Sequence, residues 1–437
     1  MPVLSLLAAL AFAAAAGGDV PVPAPPPLTL ERALAEAEAA NARLPVAALS
    51  AQIAAERTRE AQAERWVTLA VESSFIYAPP GAYDAIVTNL GLSSLQLVAR
   101  QPLWDGGARK AAVSRAEAQA AAASARYRIS KEDVDLEVRT AFSEVLEVAA
   151  EIAAHEEGLE RLRNYRTSLR SRQAAGQGVT GDLLRTDVRV ASEEADLVGA
   201  RRRLEEARME LNDLLGRDPL APLELAPLPA PSPPGEAAPE AWKGAPELAE
   251  SLALTKAAEA DRASAESERK PHVFLSADAG FVGSDTTHLI PPDLKEQNPN
   301  ADFWDRVKRD AGYSLSLNLV WPVFDTGGYA ARKLQAQKAV EQARAEASAG
   351  ERRARLEWER AHAALAKIYD EIKILSKAVP DARDAYLETE SRYRGGAATA
   401  LDVLEAYSDS VDAALRLADA VRRYRITRAL EIRWGSR

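Results

Sequence analysis

The sequence, 437 residues long, contains no cysteine and few aromatic or histidine residues. Without cysteine the chain can form no disulfide bond, thiolate metal site, cysteine nucleophile or lipid anchor on an N-terminal cysteine. The histidines are widely separated and lack the spacing of metal ligands, so neither a metal nor a cofactor is predicted. They are His155, His272, His288 and His362. The net charge of -10 comes without a basic stripe, which argues against nucleic acid as a partner.

The chain also lacks a long apolar run beyond its first residues. Residues 3–16 are apolar, too short to span a bilayer, and followed by Gly17, which is typical of a secretory signal. We expect residues 1–18 to be a signal peptide, although the segment before the apolar run has no Lys or Arg; an uncleaved apolar leader is the alternative. If the rest of the chain lies in a membrane, it must cross the bilayer with strands.

An internal repeat is the most informative feature of the sequence. Four features recur at one offset of 220 residues: 101–105 with 321–325, Gly176 with Gly396, Asp182 with Asp402, and Leu184 with Leu404. A shared offset over this distance indicates a duplicated domain, and the period is too long for a solenoid. We predict a first repeat at 19–220, a Pro-rich linker without regular helix at 221–246, and a second repeat at 247–437.

Each repeat is predicted to contain a helix, two strands and two long helices. The helices are expected at about 29–65, 107–173 and 182–215, and at about 246–268, 330–392 and 401–433. Apolar residues at spacings of three and four form coiled-coil stripes, so these helices must pack side by side. One stripe runs from Val138 to Leu169 and includes His155, a second from Leu197 to Leu214, and a third from Leu404 to Val421.

Strands are predicted at 66–77, 92–102, 272–282 and 312–323. Each alternates apolar and polar residues over about 11 positions, the length that a tilted transmembrane strand needs. Trp66, Trp104, Trp321 and Phe324 lie at the helix-proximal ends, where aromatic residues of a membrane interface are expected. A soluble sheet with one face on a core would alternate in the same way, but the aromatic positions favour a membrane.

The predicted fold class is therefore mostly α with a small β part. Four strands cannot close a barrel, and open sheet edges are costly in lipid. The chain is expected to supply part of a shared barrel, and the strand pattern leaves open whether two or three copies complete it.

These features together resemble the TolC family of outer-membrane efflux proteins over nearly the whole chain after residue 18. Two strand-to-helix turns and two helix-to-helix turns carry the resemblance. The first kind contains Pro102, Asp105, Gly107, Pro322, Asp325, Gly327 and Gly328, and the second contains Gly176, Gly178, Asp182, Tyr393, Gly395, Gly396, Asp402 and Glu405. Each motif alone is unspecific, but their duplication in this element order is specific.

The resemblance implies a homotrimer in the outer membrane of a Gram-negative-type bacterium. It implies a shared 12-stranded transmembrane β-barrel and a long helical barrel in the periplasm. A periplasmic adaptor (membrane fusion) protein and an inner-membrane pump or transporter would be the partners. Their docking would involve the turns at Gly176, Gly178, Gly395 and Gly396.

Carboxylates near the second turn narrow the pore entrance in this family, which here implies Asp402 and Glu405, with Asp182 at the equivalent turn. Three copies around an axis would concentrate negative potential and favour cations. Helix capping is the alternative role for Asp402 and the simpler one for Asp182. The family often has a basic residue where this chain has Ala398, so the lock of the closed entrance is not predicted.

The predicted function is a passive, non-enzymatic exit duct for small molecules, metal ions or proteins, driven by the pump. The alternative is a non-conducting periplasmic coiled-coil adaptor or scaffold. The tripeptide at 325–327 matches that of aspartic proteases, but its counterpart at 105–107 reads Asp-Gly-Gly, and a strand-to-helix turn explains both. Residues 78–91 and 284–311 are expected to be outward-facing loops; the second contains Phe303 and Trp304 and is a candidate plug or ligand surface.

Overall fold

The computed structural model describes residues 27–77, 91–176, 178–235 and 240–435. The expected signal peptide and residues 78–90 of the expected loop at 78–91 lie outside these residues, and Gly91 begins the second strand. The described helices are α1 (Leu30–Ala40), α2 (Arg43–Ala63), α3 (Ala108–Ala174), α4 (Thr180–Leu214), α5 (Pro246–Ser267), α6 (Pro292–Gln297), α7 (Phe303–Asp310), α8 (Gly328–Arg394) and α9 (Ala400–Trp434). The strands are β1 (Thr68–Tyr77), β2 (Gly91–Trp104), β3 (His272–Ser284) and β4 (Ala311–Val320). No helix among the described residues is both long and apolar enough to cross a membrane.

The long helices repeat with the offset found in the sequence. α3 and α8 each have 67 residues, and α4 and α9 each have 35. Each bound in the second repeat lies 220 residues after its counterpart, and α3 alone extends roughly 100 Å. The predicted bounds of the long helices differ from the observed ones by two residues at most.

The single helix predicted at 29–65 is instead two helices, because the chain bends at Asn41. The Asn41 backbone is extended, its Oδ1 accepts a hydrogen bond from the Arg43 N–H at 3.0 Å, and its Nδ2 donates to the Leu214 carbonyl at 3.4 Å. An asparagine side chain that competes for backbone groups favours a helix break. The prediction was wrong because apolar spacing does not register this competition.

β1 to β4 form one antiparallel sheet in chain order, which confirms the prediction of a mostly helical chain with four strands. Four strand ends, the start of β1 and the ends of β2, β3 and β4, differ from the predicted positions by two or three residues, and two of them lie near a proline. β2 continues through Pro102 to Trp104 with a register shift between these residues, whereas β4 ends at Val320, before Pro322. A proline removes one ladder donor but is tolerated where pairing is irregular, so proline alone does not mark the end of a strand.

The long helices pack side by side in the order α4, α3, α9, α8. Nearer the sheet the order is α2, α3, α5, α8. The first repeat therefore supplies one margin of each helical layer and the second repeat supplies the other margin. The strand order β1 to β4 has the same arrangement.

Buried apolar stripes hold these helices together. Val138 and Leu162 on the predicted α3 stripe and Leu211 on the α4 stripe are completely buried, and burying each such side chain contributes about 2 kcal/mol. On α9 the observed seam is broader than predicted. Val403 and Ala420, outside the predicted stripe, are completely buried, because α9 packs against both α3 and α8.

Two connecting segments are ordered rather than loose. The described residues 221–235 of the Pro-rich linker contain no helix, and a short 3₁₀ helix follows at Ala241–Gly244. The linker pairs with the N-terminal segment through Leu28 and Leu225. The segment between β3 and β4, expected to be a loop, contains α6 and α7. Arg306 organises it by donating hydrogen bonds to main-chain carbonyls, those of Ser284, Asp285, His288 and Leu289, at 2.7 to 3.1 Å.

Candidate functional site

The two helix-to-helix turns lie side by side at the end of the helices farthest from the sheet. Gly176 and Gly396 follow the C-terminal ends of α3 and α8 with φ of 72° and 80°, a conformation that favours glycine. Their N–H groups donate to the Gln173 and Tyr393 carbonyls, both at 3.0 Å. Gly178 and Gly395 lie in the same turns. The structure therefore brings the predicted docking residues together at the end of the molecule that is farthest from the sheet.

A contact between the repeats joins the two turns. The Arg172 guanidinium, in the last turn of α3, donates to the Tyr393 and Arg394 carbonyls at 3.1 and 3.2 Å. It also lies over the Tyr393 ring, 5.2 Å from the centroid, and that ring meets Tyr165 edge-on at 5.5 Å. Arg172 therefore satisfies helix-terminal carbonyls of α8 that have no partner within their own helix.

Asp402 forms a capping box at the start of α9. Its Oδ2 accepts from the Thr399 N–H at 2.7 Å, and the Thr399 hydroxyl accepts from the Asp402 N–H at 3.2 Å. Hydrogen bonds from Thr399 lower the pKa of the Asp402 carboxyl, so it is ionised at neutral pH. Glu405, three residues later, is also exposed and lies on the same side of the helix. The two carboxylates thus form one acidic patch in each chain.

Asp182 has a different environment from its counterpart Asp402. It lies in the first turn of α4, whose N-cap residue Val179 makes no side-chain capping hydrogen bond. Burial, followed by the nearby Asp182 carboxylate, raises the pKa of Tyr393. Asp182 therefore lies near Tyr393 of the second repeat. It has no capping box like the one at Asp402.

The strand-to-helix turns are built alike in both repeats. Asp105 accepts from the N–H groups of Gly107 and Arg109 at 3.0 and 2.8 Å. Asp325 accepts from the N–H groups of Gly328 and Tyr329 at 2.6 and 2.7 Å. These carboxylates stabilise the first turns of α3 and α8. This role accounts for the tripeptide at 325–327 without any catalytic chemistry.

The aromatic residues predicted for a membrane interface are all exposed at the helix-proximal end of the sheet. They are Trp66, Trp104, Trp321 and Phe324. One face of the sheet next to them is apolar and uncovered: Leu69, Val71, Leu315 and Leu317 are each 66 to 70% exposed. An uncovered apolar face of this kind marks a surface that meets lipid or protein.

The described residues contain no group of histidine, aspartate and glutamate able to hold a metal ion. His155 is instead a buried partner of Glu193, with Nδ1 2.6 Å from the Glu193 Oε1. This pair joins α3 to α4. The expectation that His155 packs in the helix seam agrees with its burial.

Residues 27–217 and 237–430 match the model of the outer membrane efflux protein family. These two segments cover most of the chain, so the chain belongs to this family. The resemblance stated from the sequence is thereby confirmed. No curated protein is significantly similar to the chain in sequence.

Solved structures of outer-membrane channels share the fold. The outer-membrane channel OprN is 21% identical with a TM-score of 0.80, over 93% of this chain and 89% of OprN. The outer membrane protein VceC of Vibrio cholerae is 20% identical with a TM-score of 0.78, over 93% and 95%. The open state of the Neisseria gonorrhoeae MtrE outer membrane channel is 19% identical with a TM-score of 0.77, over 93% and 88%.

Sequence reasoning did not identify Arg172. The signal available was weak, because Arg172 and its repeat equivalent Arg392 both lie four residues before a turn glycine. Only the packing distinguishes them: the Arg392 guanidinium lies 3.8 Å from Glu388, and both side chains are mostly exposed.

Proposed function

We propose that the protein is the outer-membrane channel of a tripartite export system and works as a passive exit duct. Its partners would be a periplasmic adaptor and an inner-membrane pump that supplies the energy. The adaptor would dock at the turns around Gly176, Gly178, Gly395 and Gly396. Family membership and the shared fold support this proposal.

The main support for this proposal is that the outermost strands of the sheet and the outermost helices of the helical layers are not covered by other described parts of the chain. In the sheet, β1 and β4 are the outer strands, and every residue of β1 is exposed. The marginal helices also expose apolar residues at helical spacing, such as Val46, Leu49 and Ile53 on α2 and Leu184 and Val188 on α4. Other copies of the chain would cover these margins, as unpaired strand edges require.

Three copies would give a closed barrel of 12 strands, four from each chain. The uncovered apolar face would then meet lipid, with Trp66, Trp104, Trp321 and Phe324 at its interface with water. The long helices would continue the barrel into the periplasm. The turns would form its inner entrance, with Asp402 and Glu405 as the acidic ring and Asp182 beside it.

Ion permeation through the purified protein in planar bilayers tests this function. The wild type is expected to conduct and to prefer cations. Replacing both entrance carboxylates, Asp402→Asn with Glu405→Gln, should lower the cation-to-anion permeability ratio about two-fold or more at low salt, where screening is weak. Glu31→Gln, at an exposed position on α1, is the control and should change nothing.

Two outcomes would contradict the proposal. Folded trimers that do not conduct would exclude a duct. Recovery of the protein in the soluble periplasmic fraction without detergent would favour the alternative, a non-conducting adaptor or scaffold. A particle image in detergent would test the trimer and the helical tube in the same preparation.

A further inference from the structure

All the Asp, Glu, Lys and Arg side chains of the described strands lie on one face of the sheet. They are Glu72, Arg100 and Asp278, and the register places them on the face opposite Leu69 and Leu315. Charges on the lipid side of a membrane strand are costly, whereas charges in a lumen tune selectivity. This inference rests on the proposed function. If the chain forms the proposed channel, these three side chains line the water-filled lumen of its β-barrel.

The strand register orders the charges along the lumen. Arg100 pairs with Thr68 and Ser276, in the row nearest the helices. Asp278 lies in the next row and Glu72 in the row after it. Neighbouring rows on one face are about 7 Å apart. The lumen therefore has a basic level on the helix side and two acidic levels toward the opposite end.

The positive charge of the Arg100 row is not neutralised by the neighbouring Asp278 row, because Arg100 and Asp278 have different partners. The Arg100 guanidinium lies over the Phe274 ring, 5.8 Å from its centroid, and Phe274 is one row nearer the helices. Asp278 accepts a hydrogen bond from the Ser314 hydroxyl at 2.9 Å. Each side chain is thus held toward another neighbour, and the two charges do not neutralise each other in an ion pair.

We propose that Arg100, together with its copies in the other protomers, forms a positively charged station that attracts carboxylate-bearing solutes and opposes cations. A guanidinium stacked on an aromatic ring keeps its N–H donors at its rim, a geometry suited to carboxylates. This station has the opposite sign to the entrance at Asp402 and Glu405. Ion selectivity is then set at two places along the duct, the acidic entrance and the ring of Arg100 side chains. Transported anions are attracted by the Arg100 side chains after they have passed the acidic entrance.

Reversal potentials of the full-length protein in planar bilayers test the station. Arg100→Gln should raise the potassium-to-chloride permeability ratio about two-fold or more at 10 mM salt, where the screening length is about 30 Å, and should have little effect at 1 M. Arg100→Lys, which retains the charge, should resemble the wild type. Asp278→Asn should shift the ratio in the opposite direction, and Arg32→Gln on α1 is the control for loss of a remote charge.

Citrate, a probe that carries several carboxylates, gives a second readout. It should reduce the potassium current through the wild type and Arg100→Lys, and reduce it far less through Arg100→Gln. Equal permeability ratios and equal citrate effects in these three proteins would overturn the station while leaving the channel intact. Wild-type trimers without conductance would overturn the proposed function instead. If Arg100→Gln does not assemble, an unchanged ratio in Asp278→Asn and no citrate effect on the wild type would still exclude the charged levels.

Discussion

The two helical hairpins, α3–α4 and α8–α9, have helices of equal length but different side chains at equivalent positions. The buried pair His155 and Glu193 in the first hairpin corresponds to Leu375 and Ala413 in the second. Near the turns, Glu405 in the second hairpin corresponds to an arginine in the first. The backbone has retained the duplication, and the side chains have diverged.

The divergence follows from the way the hairpins pack. α3 and α9 lie next to each other in the middle of the helical layer, so equivalent helices of the two hairpins have different neighbours. Tyr407 on α9 approaches α3 where residue 158 is glycine; a Cβ at that position would lie 2.9 Å from the Tyr407 hydroxyl. The equivalent residue, Ala378, shows that the second hairpin has no such requirement. The two hairpins therefore share a backbone structure, while the side chains at the contact between α3 and α9 are not repeated elsewhere in the described helical layer.

The largest expected effect on stability comes from replacing only one member of the buried pair His155 and Glu193. His155→Leu introduces the residue of the second hairpin but leaves the Glu193 carboxylate buried without its partner. We expect the free energy of unfolding to fall by about 3 to 5 kcal/mol. The measurement is urea unfolding of the detergent-solubilised protein, followed by helical circular dichroism.

The double variant His155→Leu with Glu193→Ala copies the second hairpin and should recover most of this loss, because no buried charge remains. Arg163→Gln is the matched control, since it removes an exposed ion pair with Glu194 between the same helices; it should cost less than about 1 kcal/mol. A double variant as unstable as His155→Leu would show that the pair has no apolar equivalent at this site.

Most of the fold could be predicted because its signals are periodic and local. The apolar stripes of α3 and α4 and the shared offset of the two repeats placed the long helices within two residues of their observed bounds. The break at Asn41 was missed because it depends on one side chain contacting Leu214, far away in the sequence. The breadth of the α9 seam was missed for a related reason, since a heptad describes one partner and α9 has two.

The candidate site was predictable only in part. The turns could be located from their glycines, and the acidic residues from the resemblance to a family. Their environments could not be predicted: Asp402 and Asp182 occupy equivalent positions, yet one completes a capping box and the other faces Tyr393. The contact between Arg172 and the end of α8 joins residues 221 apart in the chain, and spacing within one helix contains no information about it.

A smaller effect is expected from separating the two turns. Arg172→Gln removes the charged donor that binds the Tyr393 and Arg394 carbonyls. We expect the local free energy of opening of the second turn to fall by about 1.4 kcal/mol. Amide hydrogen exchange at residues 394–399 should therefore become about ten-fold faster. The repeat-equivalent change Arg392→Gln removes an exposed ion pair with Glu388 and no hydrogen bond between the turns, so it should alter exchange less than two-fold. Equal acceleration by both variants would mean that Arg172 does not hold the second turn.

The smallest effect should come from exchanging the N-cap residues of the two hairpins. Thr399→Val copies Val179 and removes the capping box, which should destabilise the start of α9 by about 1 kcal/mol and accelerate amide exchange there. Val179→Thr should gain less than this, because Asp182 would have to leave Tyr393 to complete a capping box with the new threonine. Exchange at the start of α4 measures that gain. A full gain would mean that the contact between Asp182 and Tyr393 adds nothing to the joining of the two turns.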